Sequence, residues 1–522
     1  MIDNITGICF TISIIILITW MVLDIVVRAL RKKPPQNNNR AHDVPTSTHV
    51  NQLGLSTGVR VPPHATNLHL LRNMSIVNGN LTIKEVSSLT ELDDLGSLHS
   101  INGSLYLDGN ASIRNIDGLR NLRKINESLI ISNMSSLSNI DGLKGLTEIG
   151  QNLVIKNCSK LRNLNGLSNL VSVGGCISLV NTPLEQLGGL RNITKLDGTL
   201  QIENTSVLNM SGLEMLSSIG TDLGLLENSK LTSLDGIENL TSVGRCLLVK
   251  GNTSLLNING FLGLSTIGGE LGIHENNLLE NLDGFLCLTL IGGDLQITNN
   301  NNLTEISGLK NVPKIVGALL IAENTKLASI DALRDKVTDL RSVSIIRNDN
   351  IRNVDGLVGA VTIAEDLWII GNQNLVNIDG LRDLKTVGGS VVLTESPNLT
   401  NISGLRNLES INNKLTITHA SSLESLDGLN NLETVGDGIT VGENSIQSIS
   451  AFQSLKALGG YLFIVLNPCL TEINTRFNLI EFPKNVMITD NIALSYEQAH
   501  NVVISMGRSN IDGNVIINDE VI

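Results

Sequence analysis

A repeat of 24 residues runs through most of the chain and restricts it to one kind of architecture. Segments such as SNIDGLKGL, TSLDGIENL and VNIDGLRDL recur with a shared glycine position, and successive copies lie 24 residues apart except for three spacings of 23. A period in this range is typical of a solenoid in which each repeat forms one coil. The aligned positions are Asp94, Gly118, Gly142, Gly166, Gly189, Gly212, Gly236, Gly260, Gly284, Gly308, Ala332, Gly356, Gly380, Gly404, Gly428 and Ala451.

Every copy has the same order of apolar residues. A large apolar residue follows the aligned position, another usually comes three residues later, and Ile or Val follows, often before Gly-Gly. Short alternating segments such as LVIKN and LQITN then predict strands whose alternate side chains point inward. Aromatic residues make up only 2% of the chain, which favours a core of Leu, Ile and Val shared between stacked coils.

Asparagines follow many of the predicted strands. A buried asparagine at a tight corner can bond backbone groups that the turn leaves unpaired, so a stacked row is predicted to be structural. Asn133, Asn157 and Asn181 occur one position earlier in their coils and are also expected to be buried. The predicted row, at intervals of 24, is Asn228, Asn252, Asn276, Asn300, Asn324, Asn348 and Asn372.

The strings LTSLDGIENLTSVG and LENLDGFLCLTLIGGDLQITNN resemble the repeats of receptor L domains, as in the insulin and EGF receptors. The resemblance covers roughly residues 67–522. It implies an all-β solenoid, a right-handed parallel β-helix of leucine-rich-repeat type with about 18 coils of 24 residues. It also implies binding or adhesion, but it names no ligand.

Residues 5–27 form an apolar run that only Asp24 interrupts, and they predict one transmembrane helix before the solenoid. The run is long enough to cross a hydrocarbon core of about 30 Å. A cleaved signal peptide is the alternative, although such a peptide normally has a shorter apolar stretch after a basic start. The basic segment RALRKK at 28–33 would place the solenoid in the cytoplasm, whereas the family resemblance favours the extracellular or lumenal side.

Four regions follow from these patterns. Residues 1–33 are the predicted membrane anchor with its basic flank, and 34–66, which contain Pro, Asn and His without periodicity, are the predicted flexible stalk. Residues 67–494 are the predicted repeat solenoid. Residues 495–522 are the predicted C-terminal cap, which includes the segment SYEQAHNVVISMGR with helical character.

The cysteines and sequons bear on the compartment. Cys158, Cys176, Cys246, Cys287 and Cys469 do not pair by their position in the coil, so they are interpreted as small buried apolar residues. No metal-ligand spacing is visible, and no cofactor is expected. Sequons weakly favour an outside location, and the candidate glycosylation sites are Asn73, Asn102, Asn192, Asn239, Asn302 and Asn398.

Charge and polar residues argue against two function classes. The net charge of −13 makes a nucleic-acid partner unfavourable, because nothing would neutralise phosphates. Glu270 and Asp294 lie one coil apart at outward positions, with Asp222 two coils before Glu270 and His274 nearby. Parallel β-helices host some polysaccharide-active enzymes, but this group is interpreted as a solvated acidic face, and no enzyme is predicted.

A recognition surface is the favoured function. Outward strand positions near the middle of the chain are apolar and surround Trp368, which is the only tryptophan beyond the predicted span. The chain is therefore predicted to be a single-pass, membrane-anchored recognition or adhesion protein for a protein or glycan ligand. A structural spacer on a membrane, on either side, is the alternative. The predicted ligand-binding residues are Leu320, Ile346, Trp368, Ile370 and Val392.

Overall fold

The described part of the chain is built around one long sheet. The computed structural model describes residues 58–521 except 476, 478 and 519, so the predicted transmembrane helix and most of the predicted stalk lie outside the described residues. Within the described residues the sheet has 21 strands, all parallel except the last. These long strands are Val59–Val61, Leu81–Lys84, Leu105–Asp108, Leu129–Ser132, Leu153–Lys156, Ile177–Val180, Leu200–Glu203, Leu223–Leu226, Leu247–Lys250, Leu271–His274, Leu295–Thr298, Leu319–Ala322, Val343–Ile346, Leu367–Ile370, Val391–Thr394, Lys414–Thr418, Gly438–Gly442, Tyr461–Val465, Asn485–Thr489, Val515–Ile517 and Glu520–Val521.

Short strands of two residues precede most of the long strands and stack into separate parallel sheets. One break falls between Leu290–Ile291 and Asp339–Leu340, where the intervening coil carries Pro313, which has no N–H to donate to a ladder. The short strands are Ile76–Val77, Ser100–Ile101, Lys124–Ile125, Glu148–Ile149, Ser172–Val173, Lys195–Leu196, Ser218–Ile219, Ser242–Val243, Thr266–Ile267, Leu290–Ile291, Asp339–Leu340, Thr362–Ile363, Thr386–Val387, Ser410–Ile411, Thr434–Val435, Ala457–Leu458, Ser448–Ile449 and Glu472–Ile473.

The third side of most coils is a 3-10 turn centred on the aligned glycine. Asp117 begins one such turn, and its N–H donates to Asn115 Oδ1 at 3.1 Å. A Cβ on Gly118 would overlap the carbonyl of Leu92 in the preceding coil, which explains why glycine recurs here. The turns are His69–Leu71, Asp93–Leu95, Asp117–Leu119, Asp141–Leu143, Asn165–Leu167, Gly188–Leu190, Asn259–Phe261, Asp283–Phe285, Ser307–Asn311, Asp331–Leu333, Asp355–Leu357, Asp379–Leu381 and Ser403–Leu405; a further 3-10 turn, Arg508–Asn510, lies in the predicted cap.

A continuous apolar core fills the solenoid from Val61 to Ile517. The first and third residues of a typical long strand, such as Leu271 and Ile273, have no solvent exposure, as period-two alternation predicts. The core is aliphatic except at a few coils. Phe261 and Phe285 replace the usual leucine after the aligned glycine and stack with ring centroids 5.7 Å apart. The solenoid of about 18 coils predicted from the repeat is thus confirmed.

The solenoid begins earlier in the chain than predicted, whereas its C-terminal cap contains a helix as predicted. Val59–Val61 pair in parallel with Leu81–Ile83, so the last residues of the predicted stalk at 34–66 already belong to the solenoid. The helix α1, Tyr496–Met506, lies in the predicted cap, and Ser495 Oγ accepts a hydrogen bond from Gln498 N at its start. In the range 58–521 no helix has both the length and the apolar character needed to cross a membrane.

All five described cysteines carry free thiols. Cys158 is buried, which raises the pKa of its thiol to about 11. Cys176 and Cys246 are half-buried, but Cys287 and Cys469 are exposed. The interpretation as buried apolar residues is therefore wrong for the last two, because both lie in turns on the outside of the coil.

Candidate recognition site on the outward face of the long-strand sheet

The second residue of each four-residue long strand points outward, and parallel register stacks these residues into a row. In the middle of this row Leu320 pairs with Ser344, Ser344 with Trp368, and Trp368 with Val392. The three apolar side chains are half-buried. Parallel strands lie about 4.8 Å apart, so they fall within about 15 Å of one another.

The fourth residues of the strands form a second outward row beside the first. Ile346 pairs with Ile370 in this row, and both are half-buried. Ala322 and Thr394 flank them on the neighbouring coils. The structure therefore brings all five predicted ligand-binding residues together. We call them the apolar patch: Leu320, Ile346, Trp368, Ile370 and Val392.

Charged residues border the apolar patch on both sides. At the N-terminal ends of the long strands, Arg341 Nη2 lies 2.6 Å from Asp294 Oδ2, which is two coils away. At the C-terminal ends of the long strands, Arg347 Nη1 lies 3.8 Å from Glu323 Oε1. An apolar centre with a charged, solvent-exposed border has the composition of a protein-binding surface.

His274 lies in the outward row of fourth residues but is only 1% exposed. Its ring covers Gly272: a Cβ on that glycine would lie 2.6 Å from His274 Nε2 and 2.9 Å from Leu248 Cδ1. Nδ1 lies 2.8 Å from Thr298 Oγ1, whereas Nε2 is buried without a hydrogen-bond partner among the described residues. Burial and the nearby charge of Lys250 lower the pKa of His274 to about 3, so its imidazole is neutral.

Glu270 and Asp222 also differ from the predicted solvated acidic face. Asp222 is 6% exposed, and its Oδ1 accepts a hydrogen bond from Cys246 N at 3.1 Å. Glu270 is half-buried, and burial together with the charge of Asp294 raises its pKa to about 7, against the opposing effect of Arg341. The prediction is therefore wrong for these two acids and for His274: Asp222 bonds the backbone of the next coil, Glu270 is partly buried near Asp294, and the missing side chain of Gly272 lets the His274 ring lie flat on the sheet.

The Glu270→Gln variant is expected to show a pH-dependent gain in stability. The pKa of Glu270 rises from 4.5 to about 7 on folding, so its favourable contribution is complete below pH 4.5 and is lost as the pH rises through 7. Partial contact with solvent limits the loss to about 2 kcal/mol. Urea unfolding at pH 5 and pH 8 should therefore show that the free energy of unfolding of the variant, relative to that of the wild type, is higher at pH 8 than at pH 5. If the difference in the free energy of unfolding between variant and wild type were the same at both pH values, the burial of this carboxyl group would be contradicted.

The seven asparagines of the predicted row are completely buried. Asn276 is representative: its Nδ2 donates to Val249 O at 3.0 Å, and its Oδ1 accepts from Asn252 N at 3.2 Å. These bonds satisfy backbone groups at the corner of each coil. The row therefore serves the scaffold. Other buried residues in equivalent positions are Asn110, Asn444, Asn467 and Asn491.

The three asparagines that lie one position earlier are exposed, not buried as expected. Asn133, Asn157 and Asn181 have φ of 55°, 56° and 49°, because the residue after each long strand turns the chain in the left-handed region. Their side chains form a second, surface ladder in which Asn157 Nδ2 donates to Asn133 Oδ1 at 2.8 Å. The signal in the sequence was the mixture of Asn, Gly and Glu at this position, which is typical of a corner and not of a core.

The predicted glycosylation sites lie on the surface of the described solenoid. Asn73, Asn102, Asn239 and Asn398 are exposed, whereas Asn192 and Asn302 are half-buried. Several amides are engaged with the neighbouring coil; Asn239 Nδ2, for example, donates to Glu214 O at 2.6 Å. Asn252, also in a sequon, is completely buried in the asparagine row.

One family model matches the chain. Its description is BspA type leucine-rich repeat region, and six copies match over residues 79–177, 350–470 and 386–518, which together cover slightly more than half of the chain. The leucine-rich-repeat character predicted from the sequence is thereby confirmed, although the matched family is not the receptor L domain. No curated protein matches the sequence significantly.

Several solved structures are similar to the chain at low sequence identity. A leucine-rich repeat protein of Leptospira interrogans is 15% identical, with 87% of this chain and 96% of that chain covered and a TM-score of 0.28. An internalin of Listeria monocytogenes is 14% identical, with 70% and 87% covered and a TM-score of 0.27. TLR13 in its complex with ssRNA13 is 14% identical, with 82% and 80% covered and a TM-score of 0.22.

Proposed function

The chain belongs to the BspA-type leucine-rich repeat family, and on that premise we propose that it is a non-enzymatic recognition or adhesion protein. The outward face of its long-strand sheet binds a protein or glycan ligand, with the apolar patch at the centre. The resemblance of its repeats to receptor L domains supports the same proposal.

The apolar patch is the observation that carries this proposal. Repeated residues maintain the coil, so a ligand surface must consist of residues that differ from coil to coil. In the same row as Trp368, other coils place Thr82, Ser178, Gln201 or Gly272, and a separate apolar stretch of Tyr106, Ile130 and Val154 has no tryptophan. A tryptophan surrounded by aliphatic side chains and bordered by ion pairs favours a protein ligand over a purely polar one.

Membrane anchoring through residues 5–27 is part of the proposal, with the solenoid on the extracellular or lumenal side. Its test is the topology of the full-length chain with a C-terminal tag in intact cells. A tag that external protease removes, together with a glycosidase-sensitive mass, would support surface display. A protected, unglycosylated tag would place the solenoid in the cytoplasm and contradict this part of the proposal.

Trp368→Ala is expected to weaken ligand binding by at least about tenfold, because truncating a central aromatic residue commonly costs 2 kcal/mol or more. The wild-type full-length chain is first screened on arrays of extracellular proteins and glycans, and the variant is then titrated against the ligands that bind. Its Tm should stay close to that of the wild type, because the side chain is outward and half-buried.

Tyr106→Ala is the matched control, since Tyr106 is a half-buried aromatic residue in the same row near the other end of the sheet. It should leave binding unchanged. A large fall in Tm for Trp368→Ala would mean that the tryptophan is structural. The absence of any bound protein or glycan would favour the alternative role as a membrane spacer.

A further inference from the structure

A second surface lies at the corner where the last long strands end, four strands beyond Trp368. An open groove there has a volume of about 520 Å³. Its lining includes Leu466, Pro468 and Ile492 together with Glu443 and Asp490, and we call it the corner groove. Glu443, Leu466 and Asp490 occupy the same corner position in three successive coils, so the two acidic residues flank the leucine.

Leu466 departs from the repeat at a strained position. It is the residue directly after a long strand, with φ of 58°. At the other corners where the residue after a long strand has a left-handed backbone, within residues 58–521, that residue is Gly, Asn, Asp, Glu, Arg or His, all of them polar or without a side chain. A leucine with a left-handed backbone costs stability, yet its side chain is 43% exposed and so recovers little by burial.

Ile492 departs from the repeat at a second position that borders the first. It follows Asn491, which lies in the buried asparagine row, and it is 85% exposed. The same place in the preceding coils holds Ser421, Ser445 and Pro468. Two exposed aliphatic residues therefore stand together where the rest of the solenoid keeps polar or small residues, and neither stabilises the coil.

Acidic groups determine what this pair of residues can bind. Asp490 is exposed at the groove, and Glu443 Oε2 lies 2.9 Å from His419 Nε2. The chain as a whole carries a net charge of −13, which favours a basic partner. An aliphatic side chain can contact Leu466 and Ile492 while a neighbouring cationic side chain pairs with Asp490.

We propose that the corner groove is a second binding site, independent of the apolar patch, for a peptide segment of a protein partner in which an aliphatic residue adjoins an arginine or lysine.

The test is fluorescence anisotropy with the full-length chain and three labelled heptapeptide pools. The first pool has a fixed leucine followed by a fixed arginine among otherwise random residues; the second replaces the arginine by glutamate, and the third replaces the leucine by serine. Saturable binding of the first pool, at least about tenfold tighter than that of the other two, is the expected result. Equal binding of all pools, or no binding up to about 1 mM, would overturn the proposal.

Variants of the chain locate the site. Ile492→Ser and Asp490→Asn should each weaken binding of the first pool by about tenfold. Leu70→Ser is the matched control, because Leu70 is 86% exposed near the opposite end of the described chain and should not affect binding. Equal losses for the control and the groove variants would contradict the assignment.

Leu466→Asn separates recognition from structure. Asparagine tolerates the left-handed backbone and occupies this corner position in other coils, so the variant should keep or raise the Tm while losing peptide binding. A fall in Tm would mean that Leu466 is a packing residue and would overturn its role here. Concentration-dependent dimerisation of the wild type that Ile492→Ser abolishes would identify a second copy as the occupant and likewise overturn the proposal.

Discussion

Replacing Asn300 by leucine should lower the free energy of unfolding by about 4 kcal/mol or more. Asn300 Nδ2 donates to Ile273 O at 2.9 Å and Thr298 O at 3.0 Å, and its Oδ1 accepts from Asn276 N at 3.1 Å. Leucine would remove the acceptor of the buried Asn276 N–H and the amide donor to Ile273 O, at about 1–3 kcal/mol each, whereas Thr298 O would still accept from Glu275 N at 3.0 Å. Urea unfolding followed by circular dichroism would measure the change.

Asn301→Leu is the matched control for this prediction. Asn301 is the next residue in the chain, but it is exposed and donates only to Asn277 Oδ1 on the surface. Its replacement should change stability by no more than about 0.5 kcal/mol. If both variants lost the same stability, the asparagine row would not be what satisfies the corner of the coil.

Replacing Gly284 by alanine should destabilise the protein by about 3 kcal/mol or more. A Cβ at this position would overlap Ile258 O and lie 2.7 Å from the carbonyl carbon of the same residue. The clash is with backbone of the preceding coil, so no side-chain rotation relieves it and the coils must separate. A clear fall in Tm is expected by differential scanning calorimetry.

Gly188→Ala tests whether the effect is steric. Gly188 begins the 3-10 turn Gly188–Leu190, and a Cβ there would meet nothing within 4 Å. Its replacement should be neutral or slightly stabilising, because alanine restricts the unfolded chain more than glycine does. A comparable loss at Gly188 would show that turn conformation, and not contact between coils, explains the recurrent glycine.

The fold was predictable because its causes are periodic. Residues such as Leu271 and Ile273 recur every 24 positions, and a pattern that repeats so often leaves the solenoid as the arrangement that buries them all. The buried asparagine row was predictable for the same reason. The exposure of the residue just before the row was not predicted, because the exposure of Asn133 depends on a left-handed turn that adjoins the buried position.

The apolar patch was predictable only in part. The alternation of inward and outward side chains along the strand places Trp368 outward, and the parallel pairing of neighbouring long strands then brings it beside Val392. The burial of His274 could not be predicted from alternation, since it depends on the missing side chain of Gly272 and on Leu248 in the neighbouring coil. The corner groove depends in the same way on residues from different coils, and its signal is departure from the repeat at Leu466 and Ile492.

The asparagine row has a mechanical consequence. Its amides link neighbouring coils without interruption from Asn228 to Asn372, but Ser396 and Ala420 lack the amide that would continue the chain of bonds to Asn444. At these two positions the sheet ladder and the apolar core hold neighbouring coils together without the amide bonds, so tension applied at the C-terminal end is expected to meet a weaker joint here.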